Sequence, residues 1–153
     1  MGEAQTAKAI SRPASGALAV FGALGLIPFW ALLLAPFIWP HWAGAANLQL
    51  AYGGLILSFL GGVRLGRALN APDAFFPIAL SMLPSIAGLV VAALPASLSG
   101  PRYATLILGF ALMWWWDQSS ENLPGWYRRL RTPLTVCAIA ALAVGVVWLG
   151  YRR

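Results

Sequence analysis

Five apolar stretches separated by short polar breaks account for most of the chain. The first is Ala17–Trp39, followed by a turn at Pro40–Ala46; the second, Asn47–Leu65, opens on a candidate N-cap and ends at Arg64 and Arg67. After the turn Asn70-Ala71-Pro72-Asp73 comes the third, Phe75–Leu94, closed by the Ser/Gly turn between Pro95 and Pro101. The fourth begins near Arg102 and ends in Trp114-Trp115-Trp116-Asp117. A polar stretch, Gln118–Arg131, precedes the fifth, Leu134–Tyr151, with Pro133 suited to its first turn. A helix needs about 20 apolar residues to cross a hydrocarbon core of about 30 Å, and it satisfies its own backbone polar groups where no water is at hand. The pattern predicts an all-α fold, a polytopic membrane helix bundle of five transmembrane helices. Residues 1–16 read as a cytoplasmic tail and residues 17–151 as a single transmembrane domain.

Two of these runs carry local expectations. Pro28 and Pro36 lie inside the first, which predicts a kink near Pro28 and an early end to the helix. Although Ala43-Gly44-Ala45 has the form of a processing site, the apolar stretch ahead of it exceeds that of a cleaved signal peptide, so retention is expected. The fourth run covers only residues 103–116, about 21 Å of helix, so helical structure is expected to extend past both ends, with its tryptophans at headgroup level.

Composition supports the pattern. Hydrophobic residues make up 60% of the chain and charged ones 9%, against about 45–50% and about 25% in soluble domains. That leaves too little charge to coat a water-soluble globule. The net charge of +6 would point to nucleic acid in a soluble protein, but here the basic residues flank apolar runs, where anionic lipid headgroups are the natural partner. No nucleic acid partner is expected. With five spans, Lys8, Arg12, Arg64, Arg67, Arg128, Arg129 and Arg131 fall on one side of the membrane and Arg102, Arg152 and Arg153 on the other. Seven basic residues against three predict a cytoplasmic N-terminus.

Candidate chemistry is sparse. The chain has one cysteine, Cys137, and one histidine, His41, so neither a disulfide nor a metal site is expected, and no cofactor. No nucleophile–base set, P-loop or dinucleotide fingerprint is present. In the second run Gly54, Ser58, Gly62 and Gly66 recur every four residues and predict a groove for close helix packing. Arg64 and Asp117 carry charge at the same predicted end of the bundle, where an ion pair would lower the cost of both. Trp114, Trp115, Trp116, Trp126, Tyr127, Arg128, Arg129 and Arg131 mix aromatics with arginines next to apolar runs and read as an interfacial anchor.

Two blocks together carry a resemblance. Tyr52-Gly53-Gly54-Leu55-Ile56-Leu57-Ser58-Phe59-Leu60-Gly61-Gly62-Val63-Arg64-Leu65-Gly66 is one; Asp117 with Pro124-Gly125-Trp126-Tyr127 and Leu130-Arg131-Thr132-Pro133-Leu134-Thr135 is the other. Both resemble the signatures of the uncharacterised membrane-protein family that includes transmembrane protein 69 (domain of unknown function 3429), with Leu65 standing where an aromatic residue is expected in many members. The resemblance implies a bacterial inner-membrane protein or a mitochondrial relative, and no assigned activity. The short N-tail containing Glu3 makes a poor transit peptide, which favours the bacterial inner (plasma) membrane.

Three functions fit this reading. A structural, accessory or assembly protein would pack against a membrane-protein partner through its helix faces. A small transporter or channel would draw its polar path from Arg64, Ser58, Ser81, Ser85 and Asp117, and a lipid- or quinone-handling protein would use Asp117, Glu121 and His41 at the interface. The first is expected, without enzymatic activity.

Overall fold

The computed structural model describes residues 16–39, 42, 44–69, 75–120 and 123–151. Among them are five long helices and no strand. Helix α1 spans Gly16–Ile38, with a break at Gly25 and Leu26. It is followed by α2 (Ala45–Ala68), α3 (Phe75–Ala93), a 3₁₀ turn (Ala96–Leu98), α4 (Ser99–Ser119) and α5 (Gly125–Tyr151). Four of these, α1, α2, α3 and α5, are long and apolar enough to cross a membrane. At 21 residues α4 is about 31 Å long and matches them in length. The chain is an all-helical, multi-pass membrane protein.

Helix α2 packs against α1, α3 and α4, while α5 lies against α1 and α4. Phe29, Leu50, Leu57, Leu106, Phe110 and Leu142 meet in the core, all but inaccessible. The outer surface is as apolar as the core: Phe59, Phe75, Leu89 and Val136 are exposed, as expected where the solvent is hydrocarbon.

The break in α1 follows from Pro28. Proline has no N–H to offer Leu24, and Phe29 N–H turns to Leu26 O at 3.1 Å instead of reaching back to Gly25. The released Gly25 carbonyl accepts from Tyr52 Oη on α2 at 2.7 Å. The kink is therefore held from outside. Contrary to expectation the helix does not end early, because Pro36 is carried inside it and the last turn reaches Ile38.

Other boundaries move as well. Helix α2 starts at Ala45, and Gly44 rather than Asn47 precedes it, without a side-chain cap. Helix α4 gains Ser99–Arg102 at one end and Gln118–Ser119 at the other. Most of the expected polar loop is helical, since α5 begins at Gly125 and carries Pro133 in its interior. The Asn70–Asp73 turn, the tail before Gly16 and both terminal arginines lie outside the described residues.

The small-residue groove is present on a different line from the one expected. Gly54, Ser58 and Gly61 face α3, where a Cβ on Gly88 would sit 2.7 Å from Gly54 O and 3.2 Å from Ser58 Oγ. A Cβ on Gly61 would meet Ser81 O at 2.6 Å, while Gly62 and Gly66 have nothing within 4 Å. Helical phase explains the difference. At about 100° per residue a step of four overshoots a turn by about 40°, so Gly54, Ser58, Gly62 and Gly66 wind around the helix. Alternating steps of four and three hold Gly54, Ser58 and Gly61 on one face.

Candidate functional site: a buried charge cluster beside an apolar cavity

Asp117 lies in the last turn of α4 and is 3% exposed. Its Oδ1 is 2.6 Å from Arg64 Nη2 on α2, and its Oδ2 accepts from Arg131 Nε on α5 at 2.7 Å. Arg64 is further held by a 2.8 Å hydrogen bond from Nη1 to Ser120 Oγ, and its guanidinium lies over the Trp116 ring, 4.5 Å from the centroid. One carboxylate thus serves two guanidiniums, and the three side chains sum to +1. Donors outnumber acceptors: Arg64 Nε, Arg131 Nη2 and the hydroxyl of Thr135, one turn beyond Arg131, are buried without hydrogen-bond partners among the described residues. Orphaned donors of this kind are costly in a low-dielectric interior.

Beside this cluster, α1, α2 and α5 border a laterally open cavity of about 300 Å³, at the lower end of the range for small-ligand pockets. Tyr127, Arg131 and Thr135 line it along α5, with Leu18, Phe21 and Gly22 from α1 and Phe59, Leu60 and Val63 from α2. It reaches inward to Phe29, Phe110 and Ala138. Antiparallel running of α2 against α5 brings Val63 and Tyr127 to the charged end and leaves Ile56 and Ala138 at depth. From Tyr127 to Ala138 is about 16 Å along the helix axis. The cavity is thus a largely apolar slot whose polar groups line its α5 wall, with Tyr127 at the charged end, Arg131 about 6 Å and Thr135 about 12 Å further in. On the other side of Arg64 a second recess, about 410 Å³, is bounded by Arg67, Phe76, Trp116 and Ser120.

The opposite end of the bundle has its own polar contacts. Arg102 Nε donates to Val91 O at the C-terminal turn of α3 (2.8 Å), where a cation also suits the helix dipole, and Nη1 donates to Asn47 Oδ1 (2.7 Å). Tyr103 Oη donates to Gln49 Oε1 (2.8 Å), and Gln49 Nε2 to Phe29 O (3.0 Å).

The anchor residues divide. Trp115 and Arg129 are exposed, as an interfacial role requires. Trp114 Nε1 instead donates to Thr132 Oγ1 at 3.1 Å, and Arg128 is tied to α4 through its carbonyl, which accepts from Gln118 Nε2 at 3.0 Å. Trp126 is half-buried and packs edge-on against Tyr127. Trp116 and Arg131 belong to the charge cluster, and Arg131 is only 7% exposed. Reading Arg131 as an anchor fails because α5 starts six residues before it and turns it inward. Arg102, Gln49, Tyr103 and Thr135 were not singled out from sequence; a polar residue inside an apolar span was the available signal. Cys137 is half-buried, and His41 and Glu121 lie outside the described residues. Among the described residues no group of His, Cys, Asp and Glu could hold a metal ion.

Residues 14–147 match the profile of a protein family of unknown function, DUF3429. Transmembrane protein 69 of Xenopus tropicalis is 31% identical over 132 residues, covering 82% of this chain and 52% of the relative. The chain therefore spans about half the length of that relative. No solved structure matches.

Proposed function

This chain belongs to the DUF3429 family, and we propose that it is a lipid-handling membrane protein that holds a hydrocarbon chain in the slot between α1, α2 and α5. The observation that carries this reading is the slot itself: mostly apolar, about 300 Å³ in volume, with Tyr127, Arg131 and Thr135 along its α5 wall. An apolar cavity in a protein bathed by lipid gains dispersion contacts when a chain enters it. The polar groups on its α5 wall select for an amphiphile over a plain alkane. Nothing in this reading requires catalysis; the protein binds, orients or passes on the molecule.

A photoreactive fatty-chain probe in lipid nanodiscs tests it. Crosslinks should concentrate on residues 56–63 of α2 and 130–138 of α5, and Ile56→Trp, which fills the slot, should reduce them while the helices and thermal stability are retained. Labelling spread evenly over the outer faces of α3 and α4 would sink the reading.

An accessory or assembly protein docking on the transmembrane helix of a membrane partner is a second reading. It is favoured by a wholly apolar groove of about 340 Å³ between α3 and α4, lined by Leu80, Leu83, Leu112 and Trp115. Its occupant would be a helix, which groove-directed crosslinks from Leu83→Cys would capture as one discrete partner band. We place the protein in the bacterial inner membrane with its N-terminus and the charge cluster towards the cytoplasm. Supporting that orientation, among the described residues, are Arg64, Arg67, Arg128, Arg129 and Arg131 at that end against Arg102 at the other.

A further inference from the structure

The charge cluster and the slot share a wall, and their shared residues specify the ligand's head group. Arg131 gives one face to Asp117 and lines the slot, and Thr135, one turn deeper, lines it too. Each keeps a buried polar atom without a partner, Nη2 and Oγ1 respectively, and both side chains are more than nine-tenths buried. A guanidinium N–H can only donate, so the missing partner is an acceptor. Charge narrows the class further. Among the described residues two guanidiniums share one carboxylate, which leaves a positive charge over where screening is weak. A neutral acceptor would satisfy the hydrogen bond and leave the charge; an anion satisfies both.

Resting on the lipid-binding reading above, we propose that the slot takes a single-chain anionic amphiphile whose carboxylate or phosphate head pairs with Arg131 and Thr135. The chain then lies along Leu60 and Leu134 towards Phe29 and Ala138. With the anion bound, two guanidiniums face two anions and the cluster is neutral. Space for one chain, rather than two, follows from the slot's volume and its length of about 16 Å along α5. Tyr127, half-buried at the charged end, supplies a further hydroxyl near the head.

The test is retention on the full chain in phosphatidylcholine nanodiscs, read by native mass spectrometry with three probes: palmitate, hexadecyl phosphate and hexadecanol. Retention of either anion about tenfold above the alcohol is expected, the scale of one charge-assisted hydrogen bond. The stronger of the two anions identifies the head. Arg131→Gln should abolish the preference. Because that change also disturbs Asp117, Thr135→Val serves as the second variant: it leaves the ion pairs in place and should lower anion retention several-fold without moving the thermal midpoint by more than a few degrees. Equal retention of all three probes would overturn the anionic head and leave the slot's lipid reading standing. Retention of none would overturn both. An anion preference unchanged in both variants would overturn the assignment to Arg131 and Thr135.

Discussion

Asp117→Asn removes one charge while keeping the side chain's shape and an acceptor oxygen. Asp117 and its two partners are held within 2.7 Å, with side-chain exposures of 10%, 4% and 9% for Arg64, Asp117 and Arg131. Removing one member of a buried pair costs about 3–5 kcal/mol, mostly because the remaining charge is stranded. Here two guanidiniums are stranded together, so the upper part of that range is expected. Arg131→Gln leaves Asp117 paired with Arg64 and should cost less, about 1–3 kcal/mol for one lost charged hydrogen bond. The double variant should cost less than the sum of the singles by about 0.5–3 kcal/mol, since each loss removes part of what the other damages. Reversible unfolding in mixed micelles, followed by circular dichroism, measures all three. A cost below about 1 kcal/mol for Asp117→Asn, the range of an exposed ion pair, would refute the reasoning by showing that water reaches the cluster.

Two more outcomes test packing and polar satisfaction. Gly88→Leu should destabilise by about 1–3 kcal/mol or more, since its first carbon would stand 2.7 Å from a backbone oxygen on α2, whereas Gly62→Leu, with open space beside it, should lie within about 0.5 kcal/mol of the parent. Equal costs in the same unfolding assay would mean that α2 packs on another face. Tyr103→Phe should cost about 1–3 kcal/mol, because Gln49 Oε1 loses its donor at a site where both residues are 1% exposed. Thermal midpoints indistinguishable from the parent would show that Gln49 finds another partner.

How far these features were legible in the sequence depends on whether the interaction is local. Five apolar runs revealed five helices, since a hydrocarbon-facing span must be apolar over most of its length. Their ends were less legible. Asn47 reads as a cap from its neighbours alone, yet its side-chain oxygen is taken by Arg102, 55 residues away. Helix α4 looked too short because Arg102, Asp117 and Gln118 lower its hydropathy, while tertiary partners on α2, α3 and α5 satisfy those residues inside the bundle. Arg64 and Asp117 stood out as lone charges at one predicted end of the bundle. Arg131 did not, because three neighbouring arginines, Arg128, Arg129 and Arg131, look alike in sequence. Only the phase of α5 distinguishes the buried one. That phase follows from a helix start at Gly125, which hydropathy does not mark.

The two polar ends of the bundle differ in how their donors are matched. At the Arg102 end, Nε and Nη1 each have a neutral acceptor, and Gln49 links Tyr103 to the backbone of α1. The donors there are matched to acceptors, and that suffices for a structural role: the network joins α1, α2, α3 and α4, and its removal would cost stability alone. The Asp117 end joins α2, α4 and α5, but among the described residues it has more donors than acceptors. A cluster that served only to hold helices together would be more stable as an apolar contact or a neutral pair, since buried ion pairs often break even against well-packed hydrophobes. The second arginine there bonds Asp117 through Nε but leaves Nη2 without an acceptor among the described residues. The excess lies on the wall of a recess that extends from Arg131 towards Phe29 and Phe110, where a hydrocarbon chain would find apolar contacts from α1, α2 and α5. If charge cluster and slot form one site, as proposed, stability should depend on its occupant: palmitate or hexadecyl phosphate should raise the thermal midpoint of the parent and leave that of Arg131→Gln unmoved.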